Sequence, residues 1–131
     1  MAKKILIAED DVDIAMMLAF RLKANRYEVL IANDGLQTIT KAHHEKPDLI
    51  LLDIMMPCGG GIGVLENIKK SVETFMIPII AITASSDETV IKKALDLGAV
   101  DVMAKPFSSE DLLKKVKRFL HDETDKAKEG L

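Results

Sequence analysis

Five short runs of aliphatic residues recur along the chain: KILIA at 4–8, EVLIA at 28–32, DLILL at 48–52, PIIAI at 78–82 and VDVMA at 100–104. Runs this short read as strands, and those with almost no polar member read as strands covered on both faces. The stretches between them repeat every three or four residues instead. Ile14, Leu18 and Leu22 fall on one helical face, as do Leu36, Ile39 and Ala42, then Leu65 and Ile68, then Ile91, Ala94 and Leu95. The last stretch is the clearest. Leu112, Leu113, Val116, Phe119 and Leu120 form a stripe, with Lys114, Lys115 and Lys117 outside it. Strand and helix alternating five times predicts parallel strands, right-handed crossovers and helices on both faces of one sheet. The expected fold class is therefore α/β: a (βα)5 doubly wound three-layer sandwich with a parallel five-stranded sheet.

Turn and cap chemistry falls at the same boundaries. Asn33-Asp34-Gly35 is a turn before the second helix. Ser85-Ser86-Asp87-Glu88 and Ser108-Ser109-Glu110-Asp111 read as capping boxes ahead of the fourth and fifth helices, and Gly98 stands where a helix C-cap belongs. The apolar stripe is lost after about Asp122, so residues 1–122 are expected to form the domain and 123–131 a frayed tail or the start of a linker. A chain of 131 residues holds one such domain, and 48% hydrophobic with 30% charged residues excludes disorder for most of it. No apolar run approaches the ~20 residues that span a bilayer, and the N-terminus lacks the apolar stretch of about 7–15 residues that a secretory signal needs. A cytoplasmic protein with no membrane partner is expected. The single cysteine, Cys58, excludes an internal disulfide framework. A net charge of −3 without a basic block argues against direct contact with nucleic acid.

Ligands of such sheets bind beyond the carboxyl ends of the strands, where the strand order reverses. Glu9, Asp10 and Asp11 follow the first run, Asp53 the third, Thr83 the fourth, and Lys105 with Pro106 the fifth. Singly, most have ordinary readings. Asp10 or Asp11 could cap the first helix, Asp13 could add charge to its first turn, Thr83 suits a strand and Lys105 suits a turn. Asp53 resists one, because an unpaired charge at the end of a central strand is costly. Together they would meet at one edge of the sheet. Like charges ~4 Å apart repel by about 4 kcal/mol each at an effective dielectric near 20, more than one lysine offsets. A hard divalent cation such as Mg²⁺ would offset more, since it prefers carboxylate, carbonyl and water oxygens. A site of this kind suits a phosphoryl group, with metal and lysine on its oxygens, a threonine hydroxyl donating to it and a free aspartate as nucleophile.

The motifs ILIAEDD at 5–11, LILLDIMMP at 49–57, ITA at 82–84 and KPF at 105–107, in this order and spacing, resemble the receiver domains of two-component response regulators. The resemblance runs from about Lys4 to Leu120 and implies the chemotaxis-type, flavodoxin-like strand order 2-1-3-4-5. It implies that Asp53 is the phosphoacceptor, that Asp10 binds Mg²⁺ directly and Glu9 through water, and that the main-chain carbonyl of Met55 is a further ligand. By the same resemblance Thr83 turns toward the phosphoryl group, Lys105 pairs with it, and Ala84 leaves room and offers its N–H. The Lys105–Pro106 bond is expected to be cis. The implied donor is a phosphohistidine on a sensor histidine kinase or a histidine phosphotransfer protein. The chain would be a signalling switch that catalyses its own phosphorylation and dephosphorylation, not an enzyme with an external product. Its output would pass through the fourth helix, fifth strand and fifth helix to a downstream protein or an output domain, from a monomer or weak homodimer.

The sequence departs from the family in places. Val102 stands where many receivers carry Tyr or Phe, and Gly60 in Cys58-Gly59-Gly60-Gly61 where the family usually has Asp. Met55 and Ser85 occupy positions that tune phosphoryl lifetime in the family. Asp101 and Lys115 fit the charge pattern of the winged-helix members' dimers, whereas Ile91, Leu97 and Asp122 do not. A haloacid-dehalogenase-type phosphatase would want a second Asp where Met55 stands. A flavin carrier would want a phosphate loop where Glu9-Asp10-Asp11 repels phosphate. His43, His44 and His121 suit helix C-termini, and Met16, Met17, Met56 and Met103 read as core filling.

Overall fold

A computed structural model describes residues 2–56, 60–84 and 86–120. The chain alternates β1 (Lys4–Ala8), α1 (Val12–Ala24), β2 (Glu28–Ala32), α2 (Gly35–Glu45), β3 (Leu49–Asp53), α3 (Gly60–Lys70), β4 (Ile79–Thr83), α4 (Glu88–Asp96), β5 (Asp101–Ala104) and α5 (Ser109–Phe119). All strand pairs are parallel, in the order β2-β1-β3-β4-β5. The order reverses beside β1, which places the switch point between β1 and β3. The interior strands β1, β3 and β4 are buried almost throughout, while β2 and β5 at the edges keep exposed positions.

Alternation along each strand divides the core in two. Ile5, Ile7, Leu49, Leu51, Ile80 and Ile82 face α1 and α5, meeting Leu18, Leu22, Leu112 and Val116. Leu6, Ile50, Leu52, Ile79 and Ala81 face the other way, onto Ala42 of α2, Val64, Leu65 and Ile68 of α3, and Ala94 of α4. Each fully buried Ile or Leu contributes roughly 1.5–3 kcal/mol, so these two layers hold the sheet rigid beneath its carboxyl edge.

Helix ends are capped by side chains the sequence provides. Asp11, not Asp10, caps α1, accepting from the N–H groups of Asp13 and Ile14. Asp34 caps α2, Asp87 caps α4 and Ser108 caps α5. Gly98 follows the C-cap of α4 with φ 112, a left-handed conformation that glycine adopts freely. His43 and His44 lie in the last turn of α2. The Lys105–Pro106 bond is cis.

Several expectations need correction. β3 and β4 each run one residue later than the apolar runs, so Asp53 and Thr83 are the last residues of their strands, and β5 starts at Asp101. Met56 and Met103 are core residues, but Met16 and Met17 are 61% and 56% exposed. Leu36 also points outward. The reason is that α1 carries apolar residues on two faces and only the one bearing Ala15, Leu18, Ala19 and Leu22 meets the sheet. Asp101 and Lys115 pair with each other at 2.6 Å, tying β5 to α5. Cys58, Ser85, His121 and the segment 123–131 lie outside the described residues. Among those described, no helix is long and apolar enough to cross a membrane.

Candidate functional site

The strand ends are held in register by main-chain bonds that continue past the sheet. Glu9 N–H donates to Ala32 O at 3.0 Å, Ile54 N–H to Ile82 O at 3.0 Å, and Lys105 N–H to Thr83 O at 2.8 Å. The candidate site residues are therefore placed by the ladder itself. Lys105 Nζ donates to Glu9 Oε1 at 2.7 Å and to Asp53 Oδ2 at 3.1 Å, joining residues 96 and 52 positions apart. The Met55 N–H donates to Asp53 Oδ1 at 2.9 Å, so both oxygens of Asp53 are engaged. Glu9, Asp53 and Thr83 are buried, and Asp10 is exposed at the mouth. Glu9, Asp10 and Asp53 each present an oxygen, and these oxygens lie within 4.8 Å of one another.

Electrostatics follows from that crowding. Glu9 is pushed up to about 7, first by burial and then by the Asp53 carboxylate, with Lys105 pulling the other way. For Asp53, burial acts upward but is outweighed by the adjacent Glu9 carboxyl and by hydrogen bonds from the Met55 N–H and Lys105, and its carboxyl sits below the ordinary value. Burial would lower Lys105, yet its two carboxylate partners raise it. The pocket thus holds a cation, an ionised Asp53 and a proton kept mainly on Glu9. Among the described residues, Glu9 Oε2 is a buried side-chain oxygen with no hydrogen-bond partner. Such an orphan costs roughly 1–3 kcal/mol. An all-oxygen donor set with one buried oxygen unpaired fits a hard cation of the Mg²⁺ type.

A pH dependence follows. The folded state keeps a proton on Glu9 up to about pH 7, whereas the unfolded chain releases it near 4.5. Protons bound in the folded state exceed those in the unfolded state across that window, so metal-free stability falls as pH rises from 4.5 to 7 and levels off above. At about 1.4 kcal/mol per pKa unit, the fall is about 3 kcal/mol at most. Urea denaturation in EDTA at several pH values should show this slope in the wild type and a flatter one in Glu9→Gln.

Of the residues expected at the site, Glu9, Asp10, Asp53 and Lys105 converge through these contacts, and Thr83 and Ala84 close the end of β4 beside them. Met55 enters through its N–H, while its side chain is 66% exposed. Sequence reasoning missed the apolar rim. A cavity of about 460 Å³ lies between Ile14 and Met17 on α1 and Ala84, Lys105, Pro106 and Phe107. Val12, Met16 and Phe20 are also exposed, on another face of α1. Their four-residue spacing was the available signal, parallel to the core-facing stripe of half-buried Ile14 and buried Leu18 and Leu22.

Comparison with known proteins identifies the family and the fold. The profile of the response regulator receiver domain family matches residues 5–117. Over 120 residues, 92% of the chain, the sequence is 40% identical to the alkaline phosphatase synthesis transcriptional regulatory protein PhoP of Bacillus subtilis, and it spans 49% of that relative's length. Chemotaxis protein CheY4 of Vibrio cholerae superposes with a TM-score of 0.86 at 28% identity, covering 92% of this chain and 100% of that one. The receiver domain of a sensor histidine kinase from Pseudomonas aeruginosa PAO1, solved with a magnesium ion coordinated in its active site cleft, superposes with a TM-score of 0.85 at 27% identity, covering 93% and 100%. On the strength of its parallel five-stranded sheet, its strand-end carboxylates and these matches, the chain belongs to the response regulator receiver domain family of two-component systems.

Proposed function

We propose that this receiver is a phosphorylation-activated switch in which Asp53 accepts a phosphoryl group from a phosphohistidine on a sensor histidine kinase or a histidine phosphotransfer protein. The observation that carries the reading is the state of Asp53: buried, ionised, hydrogen-bonded by Lys105 and the Met55 N–H, and adjacent to the unpaired oxygen of Glu9. A carboxylate oxygen of Asp53 attacks phosphorus, the bond to the donor's imidazole nitrogen breaks, and its electron pair leaves on the imidazole. Lys105 passes from its carboxylate partners to the arriving phosphoryl oxygens. Thr83, at the end of β4, donates its hydroxyl to them, and Ala84 leaves room and offers its N–H. Glu9, Asp10 and Asp53, with the main-chain carbonyl of Met55, are the residues that would hold Mg²⁺. When bound, the ion supplies positive charge to the phosphoryl oxygens during transfer.

Val12, Met16 and Phe20 form an exposed apolar line on α1, the helix that follows Glu9 and Asp10, and this line suits the helices of a donor protein. The output surface is α4, β5 and α5. Val102 is half-buried against the α2–α3–α4 side of the core and cannot swing as an aromatic ring does, so the movement it transmits is small. In this reading residues 1–122 are the switch and 123–131 a tail or linker, acting in the cytoplasm on a downstream protein or output domain.

The test is intact mass after incubation with acetyl phosphate. A single phosphoryl adduct, mapped to Asp53 and formed with Mg²⁺ but not with EDTA, is expected. An adduct that forms equally in EDTA, or maps to another residue, overturns the reading. Lys105→Ala separates the roles further. It should bind Mg²⁺ at least as tightly as wild type, since a competing cation has gone, yet take up phosphoryl about 10²-fold more slowly. Calorimetric Mg²⁺ titration and the labelling rate check the two halves.

A further inference from the structure

We propose that Asn33, the residue after β2, is a positioning residue for the metal pocket: its side-chain amide holds the Glu9–Asp10 peptide and through it sets the aim of Asp10. The inference rests on reading Glu9, Asp10 and Asp53 as the metal ligands. In the sequence Asn33 reads only as part of the Asn33-Asp34-Gly35 turn. Its contacts assign it more. The paired register of β1 and β2 ends at Ala8 opposite Ala32. The Glu9 N–H carries the ladder one bond further, to Ala32 O at 3.0 Å. There the chain turns into α2, and the Glu9 carbonyl takes its partner from a side chain. Asn33 Nδ2 donates to it at 3.3 Å. A carbonyl only accepts, so it is the amide nitrogen of Asn33 and not its oxygen that faces Glu9. Asn33 is held in turn by α2. Gln37 Oε1 accepts its N–H at 3.0 Å, and the Gln37 N–H donates to Asp34 Oδ1 at 2.8 Å. The edge strand therefore ends in a fixed donor.

Planarity carries that hold to Asp10. The Glu9 carbonyl and the Asp10 N–H belong to one rigid peptide, so a bond on the first orients the second and the Cα beyond it. On the other side of Asp10, the Asp11 carboxylate caps α1 by accepting from the Asp13 and Ile14 N–H groups. Asp10 thus sits between two anchored points. Lys105 braces Glu9 and Asp53 through their side chains. Asp10 is exposed at the mouth, and its aim depends on its main chain. Mg²⁺ demands near-ideal octahedral geometry, so a carboxylate that wanders costs affinity even when all the ligands are present.

Calorimetric Mg²⁺ titration of the metal-free chain, beside urea denaturation in EDTA, tests this. Asn33→Leu keeps the size of the side chain and removes its donor. Its dissociation constant for Mg²⁺ should rise about tenfold, the low end of what loss of an outer supporting bond costs. Labelling by acetyl phosphate should recover to within about twofold of wild type once Mg²⁺ saturates, because Asp53 and Lys105 have not moved. Thr38→Val is the structural control. It removes the 2.7 Å bond from Thr38 Oγ1 to Asp34 O in the same turn and leaves the bond between Asn33 and Glu9 in place. It should lower the urea midpoint yet keep Mg²⁺ affinity within about twofold of wild type. Wild-type affinity in Asn33→Leu overturns the inference and leaves the metal site standing. An equal loss of affinity in Thr38→Val overturns it too, by showing that any loosening of the turn weakens the site. A wild type that binds no Mg²⁺ sinks the reading of the site, and the inference with it.

Discussion

Asp53→Asn protein incubated with acetyl phosphate and Mg²⁺ should gain no phosphoryl mass under conditions in which wild type is labelled, a loss of more than about 10²-fold because the nucleophile itself has gone. Asparagine has the same shape, and its carbonyl oxygen can still accept from the Met55 N–H that now bonds Asp53 at 2.9 Å. The strand end should therefore stay in place, and a urea midpoint close to that of wild type would exclude misfolding as the cause. No neighbour can substitute. Glu9 keeps its proton up to about pH 7 and is held on Lys105, and Asp10 is exposed at the mouth of the pocket. The variant has a second signature. Asp53 is the neighbour that adds to burial in raising Glu9, so its neutralisation lets Glu9 ionise at lower pH. The fall in metal-free stability between pH 4.5 and 7 should then shrink. A variant that still takes up one phosphoryl group would show that the nucleophile lies elsewhere.

The architecture was legible because parallel sheets bury their central strands on both faces. KILIA and EVLIA mark β1 and β2 to the residue. β3 and β4 run one residue later than their apolar runs, since Asp53 and Thr83 are polar residues inside the ladder and hydropathy alone assigns them to the loops, and β5 starts one residue later than its run. That same conflict, a charge where packing wants none, is what marked the site. Less was legible wherever the answer depended on which neighbour arrives. Met16, Met17 and Leu36 have core-like side chains, but nothing local states which of two apolar helix faces the sheet will cover. Choosing between Asp10 and Asp11 as the cap required knowing where the first helical turn starts, and Asp11 takes that role, leaving Asp10 to the pocket. Asp101 and Lys115 were noticed as a charge pattern between copies, yet a helix packed on an edge strand brings them together within one chain. Gly60 in place of the family's usual Asp also becomes intelligible. Its φ is 67, a left-handed position that glycine adopts freely and Asp or Asn tolerate better than other residues.

Gly61 is where the largest effect on stability is expected. A Cβ built there would lie 2.1 Å from Ile54 Cα and 2.7 Å from both Asp53 O and Ile54 C. All three are main-chain atoms, so no side-chain rotation relieves the clash. The Gly61 N–H also donates to Ile54 O at 3.1 Å, which clamps the first turn of α3 onto the residue that follows Asp53. Gly61→Ala must push α3 away from the end of β3, at a cost of about 3 kcal/mol or more, or a melting temperature lower by roughly 10 °C. Gly60→Ala is the control. It has nothing within 4 Å of its Cβ and suffers only the strain of φ 67, about 1 kcal/mol. The two neighbouring variants should also separate in function. Displacing Ile54 moves the Met55 N–H relative to Asp53, so folded Gly61→Ala should take up phosphoryl at least about tenfold more slowly than wild type, while Gly60→Ala stays within about twofold. Urea denaturation and the acetyl phosphate labelling rate give both readings on the same samples. Equal stability in the two variants would mean that the backbone can retreat from a 2.1 Å contact at little cost. The position of Asp53 would then be set by the sheet ladder alone, and not by the glycine that packs against it.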